Sequence, residues 1–338
     1  MKRLSCLLVL FSMLLGGCAS EPAAPKQYTA TFLTLFDTVT TVVGHGETEE
    51  AFQTKAQKIH DDLLYYHQLF DIYQEYDGIN NLKTLNDQAG IAPVRVDKTI
   101  IELLLDCKRY YELTDGKVNA AMGSVLSLWH EARTDGLRDP RSARLPDQDK
   151  LTAAAAHTDL SEVIIDEEAS TVCFSDPELR LDVGAIAKGW ATQRVAEKAP
   201  EGMLISVGGN VCATGPKKGN TPWVIGIQNP DGEGNIHTLY INRGTVVTSG
   251  DYQRTYWVEG KQYHHIIDPE TQMPSEYWRS VSVIGDDSGL ADALSTALFL
   301  LPLEEGKALA EQCGVEVLWV DANKQEYSTP GLGELIRT

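Results

Sequence analysis

The sequence predicts a single mixed α+β domain. Apolar residues recur at helical spacing through most of the first half of the chain, whereas the second half consists mainly of short β-branched runs separated by turn residues. No linker after residue 30 and no internal repeat divides the chain. Its 338 residues, 43% of them hydrophobic, are ample for one sizeable core.

The N-terminus predicts export. Lys2 and Arg3 precede an apolar run that is shorter than the ~20 residues a membrane-spanning helix needs. Leu-Gly-Gly-Cys at the end of this run resembles a bacterial lipobox, in which Cys18 carries the lipid. The alternative is a plain signal peptide that is cleaved nearby. We therefore expect an exported protein, anchored by lipid to the extracytoplasmic face of a bacterial membrane. The expected organisation is a signal peptide over residues 1–17, a tether over 18–30 and the folded domain over 31–338.

Periodicity assigns the elements in chain order. The predicted helices are residues 48–70, 98–113, 123–130 and 291–301, and residues 71–87 and 131–146 are predicted loops. The predicted strands are residues 28–43 (one strand or a hairpin), 163–165, 171–174, 203–207, 223–227, 238–241, 244–248, 252–258, 280–284 and 315–320.

A change of period marks the middle of the chain. Apolar residues alternate along 179–183 as at the end of a strand, and recur four apart over 186–191 as on a helix. Asp182 is a candidate N-cap, Gly184 permits an unusual backbone angle, and free N–H groups of the first helical turn would lie beside Lys188. Such a turn can hold a phosphate. The alternative is an ordinary junction with a surface lysine.

Composition limits how the chain can bind anions. The formal charge of −19 argues against non-specific binding to nucleic acid, which requires a basic face. Neither a GxxxxGK[ST] motif nor a helix-opening GxGxxG motif occurs. Backbone N–H groups, a single lysine or a divalent cation remain as devices for holding a phosphate.

The cysteines of the domain show no metal-binding spacing. They lie far apart with no CxxC pattern, so we expect buried thiols, and an exported protein leaves disulfides open. These cysteines are Cys107, Cys173, Cys212 and Cys313.

One pair of oxygen-bearing residues is spaced for a metal. Asp292 and Thr296 stand four apart on a predicted helix, so both face the same point. Hard oxygen ligands suit Mg²⁺. Such a pair is also common on a solvated helix face, but the apolar residues around it make an unpaired inward carboxylate costly.

Five motifs occur in a fixed order along the chain. They are Asp182-x-Gly-Ala-Ile-Ala-Lys-Gly, Ser206-Val-Gly-Gly-Asn210, Thr248-Ser-Gly-Asp-Tyr252, His265-Ile-Ile-Asp-Pro269 and Asp292-Ala-Leu-Ser-Thr296. Together they resemble the ApbE family of FAD:protein FMN transferases, over roughly residues 30–335. The resemblance implies an ApbE/T-fold-like α+β domain with FAD as substrate and Mg²⁺ as cofactor.

The resemblance also implies site residues. Asp292, Thr296 and the backbone carbonyl of Ala185 would hold Mg²⁺, with Asp292 and the general base His265 as catalytic residues. His264 leaves the choice of histidine open. The implied FAD contacts are Phe36, Tyr73, Thr114, Asp115, Gly116, Asp182, Lys188 and Ile267. After Gly116 the chain departs from the family pattern, which puts the local geometry there in doubt.

The implied activity is transfer of the FMN part of FAD to a Thr or Ser hydroxyl of a partner, such as a membrane redox subunit, with release of AMP. Two alternatives remain at this level. A Mg²⁺-dependent FAD pyrophosphatase would use the same residues with water as nucleophile. A lipid-anchored flavin-binding or solute-binding protein would carry out no chemistry.

Overall fold

The computed structural model describes residues 26–336. The predicted signal peptide and Cys18 lie outside these residues, as does the tether up to residue 25. The first strand begins at Lys26, so residues 26–30 of the predicted tether are part of the folded domain. Within 26–336 no helix has both the length and the apolar character needed to cross a membrane.

An eight-stranded antiparallel sheet forms the centre of the domain. Its strand order is β1-β2-β6-β7-β10-β13-β14-β15, and smaller sheets are formed by β3-β5-β4, β8-β9 and β11-β12. The strands are β1 Lys26–Leu35, β2 Thr38–Gly46, β3 Val94–Arg95, β4 Val163–Asp166, β5 Thr171–Phe174, β6 Leu204–Val207, β7 Asn210–Ala213, β8 Trp223–Gln228, β9 Asn235–Ile241, β10 Gly244–Gly250, β11 Tyr256–Val258, β12 Lys261–Tyr263, β13 Ser280–Gly285, β14 Glu316–Val320 and β15 Glu326–Ser328.

Helices cover one face of the central sheet and extend beyond it. They are α1 Glu49–Phe70, α2 Leu82–Asp87, α3 Lys98–Leu113, α4 Gly123–Arg138, α5 Gln148–Ala155, α6 Ala187–Lys198, α7 Ser288–Leu300, α8 Leu303–Cys313 and α9 Leu332–Leu335. This mixture of one large antiparallel sheet with packed helices confirms the predicted α+β class.

The two faces of the sheet bury different clusters because side chains alternate along each strand. Val247 and Trp319 pack into the main core with helices α1, α3, α6 and α7. Their neighbours Val246 and Leu318 point to the opposite face and pack against the β8–β9 hairpin. A third, smaller cluster joins α4 and α5 to β11 through side chains such as Trp129.

Most predicted elements are confirmed, and two corrections bear on the site. Residues 179–183 form no strand; Arg180 makes only a single bridge to Met122. Helix α6 begins at Ala187, with Ile186 in the N-cap position, so the predicted N-cap at Asp182 is wrong.

Several elements were not predicted, and one extends beyond its prediction. Helix α4 continues to Arg138, well past the expected end at residue 130. The four domain cysteines are free thiols. The elements absent from the prediction are α2, α5, α8, α9, β3, β7, β12 and β15.

Candidate functional site

A cavity of about 400 Å³ opens where the β1–β2 turn, helix α4, the start of α6, the end of β10 and helix α7 meet. It brings together residues that are far apart in the chain. Eight of the sequence-predicted site residues line it: Tyr73, Asp182, Ala185, Lys188, His265, Ile267, Asp292 and Thr296.

Close packing of α6 on α7 fixes the carboxylate of Asp292. A Cβ on Gly189 would lie 2.4 Å from the Cβ of Asp292, so only glycine allows this approach. The Gly189 N–H donates to Asp292 Oδ2 at 2.8 Å, and Lys188 Nζ lies 3.6 Å from the same oxygen. Asp292 is only 4% exposed. A buried carboxylate is thus held beside a lysine at the wall of the cavity.

Most N–H groups of the turn before α6, which the sequence predicted to be free, are already bonded within the turn. Gly184 N–H donates to Asp182 Oδ1 at 2.8 Å, and the N–H groups of residues 186–187 donate to the Val183 carbonyl. Three donors at this turn are therefore already satisfied. Lys188, whose Nζ also donates to the Gly184 carbonyl at 3.0 Å, places a positive charge at the cavity just after this turn.

Asp182 acts on Tyr73 across the cavity. Burial raises the pKa of Asp182 above its usual value. Partial burial at the cavity wall, together with the nearby Asp182 charge, raises the pKa of Tyr73 to about 12, so its hydroxyl stays protonated at neutral pH. Asp71 fixes the Tyr73 backbone by accepting its N–H at 2.7 Å, and the Tyr73 ring lies 5.4 Å from the His130 ring. Tyr73 thus presents an aromatic face suited to a flat ligand.

The two neighbouring histidines have different surroundings. His264 Nδ1 accepts the Ile266 N–H at 3.2 Å, which leaves the proton of the neutral ring on Nε2, 2.8 Å from the Ser275 carbonyl. Both of its nitrogens are therefore occupied. His265 Nδ1 lies 3.2 Å from the Gln253 carbonyl, so Nδ1 carries the proton and Nε2 keeps a free lone pair.

The surroundings of His265 keep its ring neutral. His265 is exposed at the open side of the cavity. Loss of solvent around the ring at the cavity wall, together with the nearby Arg254, His264 and Lys188, lowers its pKa below the usual histidine range. A neutral imidazole with an unoccupied Nε2 is able to accept a proton.

Four of the predicted FAD contacts lie beside the cavity and do not line it. Thr114 is buried, and its Oγ1 donates to the Tyr110 carbonyl at 2.7 Å, which closes α3. Asp115 and Gly116 follow with positive φ angles of 48° and 77°. This turn directs the next residue, Lys117, to the cavity, where its Nζ lies 2.7 Å from Glu270 Oε1.

Phe36 lies in the two-residue turn between β1 and β2. Phe36 and Asp37 both have positive φ, 52° and 51°, as a tight hairpin requires. The Phe36 ring packs edge-on against His67 at 5.5 Å. Its neighbours Asp37 and Thr38 line the cavity. A bulky residue in the left-handed region is costly, which indicates that packing holds this turn in place.

Other lining residues carry functional groups that the sequence reasoning missed. Asn210 is 2% exposed, and its Nδ2 has no hydrogen-bond partner among residues 26–336. His130, Arg133 and Arg254 also line the cavity. Asn210 was detectable as the residue after Gly208-Gly209. The two arginines lie 121 positions apart and gave no spacing signal.

A metal at this site would need a mixed set of oxygen ligands. Within the part of the chain that the structure describes, no group of three or more His, Cys, Asp or Glu side chains is arranged for a metal ion. Ala185, Asp292 and Thr296 line the same cavity and offer a carbonyl, a carboxylate and a hydroxyl.

Comparison with known proteins identifies a single family. The sequence model of the ApbE family matches residues 34–319. An FAD:protein FMN transferase of Treponema pallidum (strain Nichols) is 34% identical over 277 residues, covering 76% of this chain and 75% of the relative. One from Klebsiella pneumoniae (strain 342) is 33% identical over 280 residues, covering 78% and 84%.

Solved structures agree on the fold. The crystal structure of the ApbE protein of Thermotoga maritima superposes with a TM-score of 0.83 at 29% identity, covering 93% of this chain and 100% of that one. The flavin transferase ApbE from Vibrio cholerae shares the fold with a TM-score of 0.76 at 24% identity, covering 92% and 100%.

Proposed function

The chain belongs to the ApbE family, and on that premise we propose that it transfers the FMN part of FAD to a Thr or Ser hydroxyl of a partner flavoprotein. One observation supports this most strongly. A buried carboxylate, a lysine and a histidine with a free Nε2 line the same cavity. A lysine can stabilise the charge of a diphosphate, a carboxylate can hold a cation that bridges to it, and a neutral imidazole can accept the proton of an attacking hydroxyl.

Asp292, Thr296 and the Ala185 carbonyl suit Mg²⁺, and we propose them as its ligands. Their oxygens are hard donors, and Mg²⁺ commonly binds through one or two carboxylates while sharing phosphate oxygens and waters. The Gly189 N–H and Lys188 both approach Oδ2 of Asp292, and within residues 26–336 no hydrogen bond is made to Oδ1. Bound there, the ion would neutralise diphosphate charge.

The chain's own residues have separate roles in this proposal. His265 Nε2 accepts the proton of the attacking hydroxyl, whose oxygen forms a bond to the FMN phosphorus. The bond from that phosphorus to the AMP phosphate breaks, and AMP leaves with its negative charge. Lys188 lies at the wall where this charge develops and stabilises it.

The remaining predicted contacts would hold the rest of FAD. Tyr73 offers its ring face, Asp182 its cavity-facing carboxyl group and Ile267 an apolar surface. Phe36 and the turn over residues 114–116 lie beside the cavity. Their contact with FAD requires the adjacent loops to close around the ligand.

The experiment is a labelling assay. The chain is incubated with FAD, Mg²⁺ and a candidate flavoprotein subunit, and the denatured subunit is examined for flavin fluorescence. We expect fluorescence with the native chain, and none with Asp292→Ala or with excess chelator. An unlabelled subunit together with intact FAD would refute the proposal.

The same residues would also serve hydrolysis, because His265 Nε2 would accept a proton from water as readily as from a hydroxyl. FAD pyrophosphatase activity, giving FMN and AMP, is therefore the second candidate. Free FMN formed in the absence of any partner measures it. A non-catalytic flavin binder would bind FAD and leave it intact.

We also propose that the protein is exported and anchored through Cys18, which would place it on the same side of the membrane as extracytoplasmic redox subunits. Cys18 lies outside the described residues. Incorporation of labelled fatty acid into the native chain, and its loss in Cys18→Ala, tests the anchor.

A further inference from the structure

Three side chains at the outer wall of the cavity form what we call the mouth cluster: His130, Arg133 and Arg254. His130 and Arg133 lie on α4, and Arg254 lies in the loop between β10 and β11. Arg133 donates to His130 Nδ1 at 3.3 Å and to the Arg254 carbonyl at 3.5 Å. Arg133 thus links the His130 side chain to the backbone of the loop that carries Arg254.

No carboxylate in the described part of the chain forms an ion pair with the mouth cluster, although Asp182, deeper in the same cavity, interacts electrostatically with Arg254 and His130. Over residues 26–336, neither Arg133 nor Arg254 makes an ion pair, although acidic residues outnumber basic ones 48 to 29 in this chain. Arg138, one turn further along α4, pairs with Asp135 at 2.7 Å. Burial and the charge of Arg254 lower the pKa of Arg133, as expected of like charges without a counterion. An anion from outside the chain would relieve this repulsion.

Two kinds of anion could meet the mouth cluster in the proposed reaction: the diphosphate of FAD, or carboxylates of an acceptor protein. The diphosphate is expected at Lys188 and Asp292. The mouth cluster faces outward, since His130 and Arg254 are both exposed. It adjoins an apolar surface, because Tyr73 is 50% exposed and Leu137, on the same face of α4 as Arg133, is 62% exposed.

Resting on the proposed function, we propose that the mouth cluster binds an acidic segment of the acceptor protein next to the hydroxyl that receives FMN. Arginine suits this task because its planar fork binds carboxylates with two hydrogen bonds. Tyr73 and Leu137 would contact apolar residues of the same segment. The rest of this chain is acidic and repels such a segment, so the charge pattern also directs it to the cavity.

The test uses two synthetic peptides of one sequence, each with a single central Thr. In the acidic peptide Asp and Glu flank the Thr, and in the amide peptide Asn and Gln replace them. FMN labelling is measured by mass spectrometry with Mg²⁺ and saturating FAD. The proteins compared are the native chain, Arg133→Gln, Arg254→Gln and, as matched control on the same helix, Arg138→Gln. The KM for FAD and the melting temperature are measured for each.

We expect the native chain and Arg138→Gln to label the acidic peptide at least about tenfold faster than the amide peptide, a difference that added salt reduces. Arg133→Gln should lose most of this preference while the KM for FAD changes by less than about twofold. Arg254→Gln should also lose the preference, judged only by the ratio of the two peptides because Arg254 lies beside His265.

Three results would overturn the inference. The first is that the native chain labels the two peptides at equal rates. The second is that it labels neither peptide although it still cleaves FAD. The third is that Arg133→Gln raises the KM for FAD by as large a factor as it lowers the labelling of the acidic peptide. The last would assign the mouth cluster to FAD. Absence of any FAD cleavage by the native chain would instead refute the proposed function, and this inference with it.

Discussion

Replacing Gly189 by alanine tests whether the contact between α6 and α7 sets the geometry of the site. The added Cβ would lie 2.2 Å from the Ser288 carbonyl oxygen, whereas real contacts of this kind are essentially never below 3.0 Å. The two helices must therefore separate by about 0.8 Å locally. Overpacking of this kind costs roughly 1–3 kcal/mol of unfolding free energy, which exceeds the gain of up to about 1 kcal/mol from the better helix propensity of alanine.

The same displacement moves the Asp292 carboxylate relative to Lys188, because the Gly189 N–H holds Oδ2. A shift of about 1 Å at a reacting centre can cost on the order of 100-fold in rate. We therefore expect Gly189→Ala to lower both the melting temperature and kcat, measured by thermal unfolding and by AMP release.

Gly306→Ala is the matched control. Gly306 is also a helical glycine, but its added Cβ would meet side-chain atoms of Trp319 at 3.4 Å, an ordinary contact. This variant should keep its activity and be as stable as the native chain or slightly more stable. If Gly189→Ala behaves like Gly306→Ala in both assays, the close helix contact does not position Asp292 and the reasoning is wrong.

Four further predictions concern the histidines and Asn210. His265→Asn should lower kcat for FMN transfer about 100-fold or more with FAD binding retained, whereas His264→Asn should mainly lower the melting temperature; the reverse pattern would exchange their roles. The pKa of His265 is lowered in the folded chain, so its neutral form persists below pH 6.5. We therefore expect the pH profile of kcat/KM for FAD to show no inflection near pH 6.5 from this residue. A fall in kcat/KM below pH 6.5 that is absent in His265→Asn would contradict the lowered pKa. The pKa values of His264 and His265 are both lowered in the folded chain, so the unfolded chain binds a proton on each histidine at higher pH than the folded chain does. The stability that these histidines contribute should be full above about pH 6.5 and fall as the pH drops towards their folded-state pKa values. Thermal unfolding at several pH values measures this. Asn210→Leu should raise the KM for FAD about tenfold without lowering the melting temperature, since the Nδ2 donor has no protein partner to lose, and an unchanged KM would show that this amide does not bind the substrate.

Local sequence patterns predicted the elements that depend on local physics. The spacing of apolar residues marked α1 and α3, and both helices begin after a side chain that caps them, Thr48 and Asp97. The turn at residues 182–187 could not be predicted in this way. The Gly184 N–H bonds to Asp182, and the N–H groups of residues 186–187 bond to the Val183 carbonyl, so these residues form a turn before α6 begins. The apolar periodicity of residues 186–191 did not reveal this turn.

Sequence predicts a site residue when a single motif contains both the residue and the neighbour that defines its role. Asp292 and Thr296 share a helix face, so their spacing alone placed them together. The choice between His264 and His265 required their partners, the carbonyls of Ser275 and Gln253, which no spacing indicates. The mouth cluster depends on the packing of α4 beside the loop after β10, a contact between distant parts of the chain.

The most direct test of the account compares the products of FAD cleavage in the presence of an acceptor protein. AMP, free FMN and the mass of the acceptor are measured in the same reaction with Mg²⁺. The account predicts one AMP for each FMN joined to the acceptor, at a Thr or Ser, with little free FMN. An unmodified acceptor with AMP and free FMN in equal amounts would contradict it and identify the chain as a pyrophosphatase.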